Sequence, residues 1–292
     1  MNRRRFLILT ACAAALPRAG LAATDEWRSR AMGADVTLRL QGASAVQARA
    51  FFAEAARVLA HVESLFSLHR ASDLQRLNRI GGLRFPADGM IELLALSDRL
   101  HRITGGVFDP TIQPLWLARA GGTDESRAVT GWQGVSWSDR EVSLARPGMA
   151  LTFNGIAQGW AADQLAAAAA RHDLTDLLID TGEVRALGSH GWRAELADAR
   201  GRVHQRLILS ARALATSSPS ATRIGPRQMP HIMAHDDRPP LWDTISVSAP
   251  QAALADGLST ALCLMTPEEA VRAMAQLPEC RIELQIPAGV PG

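Results

Sequence analysis

The 292-residue sequence has no tyrosine, only three cysteines, and no marked excess of either charge: 31 Lys and Arg stand against 29 Asp and Glu. A formal charge of +2, with no basic block after residue 5, excludes a dedicated nucleic-acid surface. Neither G-x-x-x-x-G-K-[ST] nor G-x-G-x-x-G occurs, so neither nucleotide fingerprint applies. No cysteine spacing suits zinc. The apolar run from Phe6 through Leu16 is too short to span a bilayer. Internal repeats and low-complexity linkers are also missing.

What is present begins with an address. Arg3, Arg4 and Arg5 precede that apolar run, and Gly20-Leu21-Ala22-Ala23 supplies the small residues of a cleavage site. The order Asn2-Arg3-Arg4-Arg5-Phe6-Leu7 matches the twin-arginine pattern, with an ordinary Sec signal as the alternative. Residues 1–23 are therefore expected to be a twin-arginine signal peptide, and residues 24–292 one exported, periplasmic domain. Lipoprotein anchoring at Cys12 is disfavoured because it would halve the apolar region. Removal of the signal leaves about 270 residues, enough for one large domain or two intimately packed ones. It also leaves Cys263 and Cys280, which could form one disulfide; Cys263 lies in an apolar helical run, where a free thiol packs as a small hydrophobe.

Alternation over 35–40 predicts a half-buried strand. Phe51, Ala55, Val58, Val62 and Leu65 recur at spacings of three and four, predicting a helix over 44–66. Further helices are expected over 89–104, closing at Gly105-Gly106, and over 158–172. Residues 174–216 read as β-rich. A strand over 244–249 precedes a helix from Pro250 to about Met265, and Pro267-Glu268-Glu269 opens another. Strands and helices mix without a βαβ rhythm, which predicts an α+β fold of mixed sheets with packed helices.

Three segments can carry chemistry. On a helix, Asp256 and Thr260 share one face with Ser259 beside them, a hard-oxygen cluster suited to Mg²⁺ or simply a helix acid with packing hydroxyls. Gly105-Gly106-Val107-Phe108-Asp109-Pro110-Thr111 lets backbone approach a ligand closely, or merely stops a helix and turns. Phe153-Asn154-Gly155-Ile156-Ala157-Gln158-Gly159-Trp160 is a glycine-punctuated turn feeding a helix, and can offer amides to phosphate.

In this order the segments resemble the FAD:protein FMN transferases, the ApbE-like flavin transferases. Ala31-Met32-Gly33-Ala34 resembles the family's A-M-G-T. Phe66-Ser67, Ser72-Asp73-Leu74 and Leu77-Asn78 resemble F-S-x-Y, S-x-L and L-N. Gly106 to Thr111 matches G-x-F-D-P-T, and Ala255 to Thr260 matches A-D-x-L-S-T; both are specific. Asn154 to Gly159 is similar to G-x-x-A-K-G, Thr181-Gly182-Glu183-Val184-Arg185 to G-G-[DE]-x-R, and Ala215-Thr216-Ser217 to A-T-S.

The resemblance implies Mg²⁺-dependent transfer of FMN from FAD to a threonine of an exported or membrane redox partner, a flavoprotein, with release of AMP. Metal ligands carry over to Asp256, Thr260 and a main-chain oxygen of Gly155, with Ser259 beside them. Contacts to FAD carry over to Met32, His69, Val107, Phe108, Asp109, Thr152, Gln158 and Ile232. His231 becomes the proton acceptor from the threonine, and Asp256 is catalytic through the metal. The wording from Thr181 to Gly188 is most similar to the nitrous-oxide-respiration branch, which serves a membrane-bound regulator-like flavoprotein.

Four departures accompany the match. Gln158 stands where the family has lysine, Thr152 where it has aspartate, and His69 where it has tyrosine. The H-I-x-D-P-x-T-G block is His231-Ile232-Met233-Ala234-His235-Asp236-Asp237-Arg238, without the Asp-Pro turn or the glycine. Arg223, Arg227 and Arg238 are candidates to replace the missing lysine charge, or are solvated surface arginines. These changes keep two alternatives open: an FAD-binding accessory or delivery protein, and an FAD pyrophosphatase with water as acceptor.

Overall fold

A computed structural model describes residues 24–289; the expected signal peptide and Cys12 lie outside the described residues. Seven strands, Thr24–Ala31, Ala34–Gln41, Leu177–Asp180, Val184–Leu187, Ala213–Ser217, Trp242–Ala249 and Arg281–Pro287, form one sheet in which spatial order equals chain order. Every neighbouring pair is antiparallel, so the sheet is a meander opened by insertions. The architecture is α+β, as expected from the mixing of elements. Among the described residues the helices are α1 (Ala45–Phe66), α2 (Asp73–Ile80), α3 (Asp88–Ile103), α4 (Gln113–Gly121), α5 (Ala157–Arg171), α6 (Ala252–Leu262) and α7 (Pro267–Met274). None of them is long and apolar enough to cross a membrane.

Period-two alternation lets the central strands bury both faces. Leu177, Ile179, Ala213 and Ala215 join the main core with α1, α3, α5 and α6. Leu178, Val184, Ala186 and Leu214 face a second cluster closed by the hairpin Trp192–Ala197 and Val203–Leu209. The hairpin turn is tied at Asp198, which is only 3% exposed and accepts from the amides of Arg200 and Arg202 and from His204 Nε2 at 2.8 Å. The His204 bond, opposed by burial and joined by the two amides, holds the Asp198 carboxyl well below its ordinary range. That stabilisation is fully present above the unfolded carboxylate pKa of about 3.9 and is lost as pH falls through the folded value. Asp198→Asn is expected to lower the melting temperature by roughly 2–5 °C at pH 7, with the gap closing in strong acid. Paired thermal melts across that range check it.

Helix boundaries follow from local chemistry. Ser44 and Gln47 form a capping box on α1, and Thr266 and Glu269 do the same for α7, with Pro267 in its first turn. The helix expected from Pro250 begins two residues later, at Ala252, because its cap comes from elsewhere. Asp163 of α5 accepts from the amides of Ala252 and Ala253, both at 2.9 Å. Burial pushes the Asp163 carboxyl up, against those two bonds and the nearby Arg185.

α5 and α6 cross in close contact. A Cβ on Gly159 would lie 2.4 Å from the Ala252 carbonyl oxygen and 2.6 Å from the Ala253 nitrogen, both backbone atoms. Gly159→Ala must push the helices apart, at an expected cost of at least about 3 kcal/mol. Urea unfolding checks that figure. Cys263 and Cys280 are buried free thiols rather than a disulfide. Cys263 is fully enclosed in the main core, and burial raises both pKa values, that of Cys280 to about 11.

Candidate active site

A cleft of about 450 Å³ opens where the first hairpin, the loop after α1, the segment after α3, the N-terminus of α5 and one face of α6 meet. Each rim has a local cause. Met32 and Gly33 form a two-residue hairpin turn with φ of +51° and +75°. A turn with both central residues left-handed matches the twist of its strands, but a methionine there is uncommon. Glu63 Oε1 of α1 pins it by accepting from the Met32 amide at 3.1 Å.

Gly105 and Gly106, at φ +62° and +90°, end α3 and turn the chain inward. Thr104 Oγ1 then accepts from the Phe108 amide at 3.0 Å, and His101 Nδ1 donates to the Phe108 carbonyl at 2.9 Å. Val107 and Phe108 are thereby fixed in the wall. Asp109 Oδ1 accepts from the amide and the hydroxyl of Thr111, at 2.8 and 2.6 Å, capping the 3₁₀ turn Pro110–Ile112. The Thr152 amide donates to the Pro110 carbonyl at 2.9 Å, which brings the turn before α5 beside this wall.

α5 starts without a side-chain cap of its own. Its third residue, Gly159, donates its amide to Asp256 Oδ2 of α6 at 3.2 Å. Asp256 is thus buried, 3% exposed, with its carboxylate against the positive end of a neighbouring helix. One turn on, Thr260 faces Gly155: a Cβ there would lie 3.0 Å from Thr260 Oγ1. The structure therefore brings together Asp256, Thr260 and Gly155. Among the described residues no group of three or more His, Cys, Asp or Glu is placed to hold a metal. One carboxylate, one hydroxyl and one main-chain oxygen fit Mg²⁺, which keeps waters and shares ligand phosphates, and do not fit zinc.

Ser259 departs from this set. It is fully buried, does not line the cleft, and its hydroxyl is engaged by Ser217 Oγ at 2.8 Å and by the Asp256 carbonyl at 3.0 Å. It braces α6 against the strand Ala213–Ser217.

Gln158 is 4% exposed and lines the cleft, and its carbonyl accepts from Thr181 Oγ1 at 2.9 Å. Gly182, at φ +100°, leaves room for it: a Cβ there would sit 3.2 Å from Gln158 Nε2. His69 lies on the exposed rim, and Thr152 and Ile232 also line the cleft. His231 faces the same space. Its Nδ1 lies 2.9 Å from the Pro219 carbonyl and 3.2 Å from that of Thr222. Carbonyls only accept, so Nδ1 carries the proton and Nε2 of the neutral ring holds the basic lone pair.

The altered block after His231 is held by ion pairs instead of an Asp-Pro turn. Asp237, at φ +60°, accepts from Arg119 at 2.8 Å; Arg238 spans Asp236 and Glu269. Arg119 is 6% exposed and also grips Glu125. Burial opposes its charge, yet these bonds outweigh that and raise its pKa. Arg227 pairs with Glu125 and Arg223 donates to the Gln228 carbonyl. Neither they nor Arg238 line the cleft, so none replaces the lysine charge. The charged cleft residues Glu63 and Arg70 had no signal in the sequence pattern; Glu183, of the glycine-acid turn, accepts from the Thr216 amide at 3.2 Å through Oε2.

This α+β fold is that of solved flavin transferase structures. The flavin transferase ApbE of Vibrio cholerae is 21% identical, with a TM-score of 0.75 over 88% of this chain and 92% of that one. The apo flavinyl transferase ApbE of Pseudomonas stutzeri is 24% identical, with a TM-score of 0.76 over 89% and 90%. The ApbE protein of Thermotoga maritima is 20% identical, with a TM-score of 0.76 over 89% and 94%. No curated protein sequence matches significantly. The profile of the ApbE family matches residues 32–283. The chain belongs to the ApbE family, the flavin-transferase family that its motifs resemble.

Proposed function

We propose that this protein transfers FMN from FAD to a threonine hydroxyl of a partner protein, with AMP as leaving group and Mg²⁺ at Asp256, Thr260 and Gly155. The observation that carries the reading is the meeting, in one cleft, of that oxygen set with a histidine whose Nδ1 is tied to carbonyls. His231 Nε2 takes the proton of the threonine hydroxyl as the Oγ–P bond to the FMN phosphorus forms. The P–O bond to AMP breaks, and its electron pair leaves on the AMP phosphate. Positioning and charge neutralisation dominate such transfers. A bound Mg²⁺ would neutralise the pyrophosphate and the departing oxygen. Val107, Phe108 and Met32 form an apolar wall suited to a flavin ring.

The uncharged Gln158 is the observation on the side of an FAD-holding accessory role, since neutral donors grip phosphate less strongly. The retained oxygen set and the tethered His231 favour transfer. Incubation with FAD, Mg²⁺ and a threonine-bearing candidate partner, followed by in-gel flavin fluorescence, separates the readings. A fluorescent partner supports transfer; free FMN with AMP means hydrolysis, and intact bound FAD means storage. With the twin-arginine pattern at its start, the chain is proposed to act on a periplasmic or membrane-attached partner. Recovery of the protein only in the cytoplasmic fraction would contradict that location.

A further inference from the structure

The charge inventory of the cleft is unbalanced. Glu63, Asp109, Glu183 and Asp256 line it, and among the described residues Arg70 is the one arginine or lysine that does so. A dianionic pyrophosphate entering such a wall meets repulsion that a single divalent cation does not fully offset. Arg70 has a fixed base and a movable head. Its amide and that of His69 donate to Ser67 Oγ, at 3.0 and 3.2 Å. Ser72 Oγ donates to the Ser67 carbonyl at 2.7 Å, and Gln75 Nε2 to that of Leu68 at 2.9 Å, so the loop is pinned at both ends. The Arg70 side chain is 73% exposed and rests on Glu63 Oε2 at 2.9 Å. An exposed pair of this kind is worth little and is readily exchanged for a stronger acceptor. The other oxygen of Glu63 holds the Met32 turn, so exchange would free Arg70 without releasing that wall.

We propose that Arg70 is a substrate-binding residue which leaves Glu63 on ligand entry and closes on the phosphates of the nucleotide, supplying the permanent positive charge that the cleft otherwise lacks. The proposal rests on the flavin-nucleotide reading of the cleft. Guanidinium suits this role because its planar fork can grip two phosphate oxygens with charge-assisted bonds.

The test is a binding series with Mg²⁺ present, comparing the wild-type protein, Arg70→Gln and Arg70→Lys toward FAD, FMN and riboflavin. Arg70→Gln should bind FAD and FMN about tenfold more weakly and riboflavin unchanged, with a shallower salt dependence for FAD. Arg70→Lys should recover most of the FAD affinity. Unchanged FAD binding by Arg70→Gln would overturn the proposal and leave the flavin reading standing. An equal loss toward riboflavin would also overturn it, placing Arg70 on the ring rather than the phosphates. Failure of the wild-type protein to bind any of the three would overturn the flavin reading itself.

Discussion

Asp256→Asn is expected to keep the fold and to reduce flavin transfer by at least about a hundredfold. Both halves follow from the position of the carboxylate. Asparagine has the same shape and keeps an oxygen that can accept from the Gly159 amide, so the contact between α5 and α6 survives. The variant should therefore melt within a few degrees of the parent. What it loses is the negative charge beside Thr260 and Gly155, the one carboxylate of the proposed oxygen set. Several kcal/mol of charge stabilisation on the breaking pyrophosphate would go with it. The measurement is the Mg²⁺ dependence of AMP release; full activity at ordinary Mg²⁺ would remove Asp256 from the metal site.

Replacement of His231 should have an effect of similar size. His231→Ala removes the group proposed to take the threonine proton, and general-base losses run from about 10² to 10⁴. FAD affinity should change little, because the proton transfer concerns the acceptor threonine. Added imidazole should restore part of the rate, a response that a merely structural histidine would not give. Transfer within a few-fold of the parent, or no rescue alongside a collapse in FAD binding, would count against this role.

The sequence made some parts of this arrangement legible and hid others for physical reasons. α1 was readable because Phe51, Ala55, Val62 and Leu65 keep helical spacing and are buried together. Asp256 and Thr260 were readable as a pair because i and i+4 share a face whatever the helix packs against. Ser259 sits beside that pair in sequence, yet its neighbour in space is Ser217 of the sheet, which no local spacing announces. The strand Thr24–Ala31 carries Asp25, Glu26, Arg28 and Arg30, and its alternation is masked by charge at a sheet edge. There Glu26 pairs with Arg28 and with Arg39 of the next strand. α2 buries only Leu74 and Leu77, too little for a period to show. Glu63 and Arg70 reach the cleft because α1 and its following loop pass the Met32 turn, a contact made between segments about thirty residues apart. The family motifs supplied what spacing could not: the order in which distant turns would meet.

The most direct test of the central claim is the stoichiometry of the reaction. The protein, FAD, Mg²⁺ and a threonine-bearing partner are incubated, and AMP released is compared with FMN bound covalently to the partner by intact and peptide mass spectrometry. The account predicts equimolar AMP and FMN-modified threonine, both suppressed by chelation of the metal. Equimolar free FMN and AMP with an unmodified partner, or AMP release that persists in chelator, would contradict it.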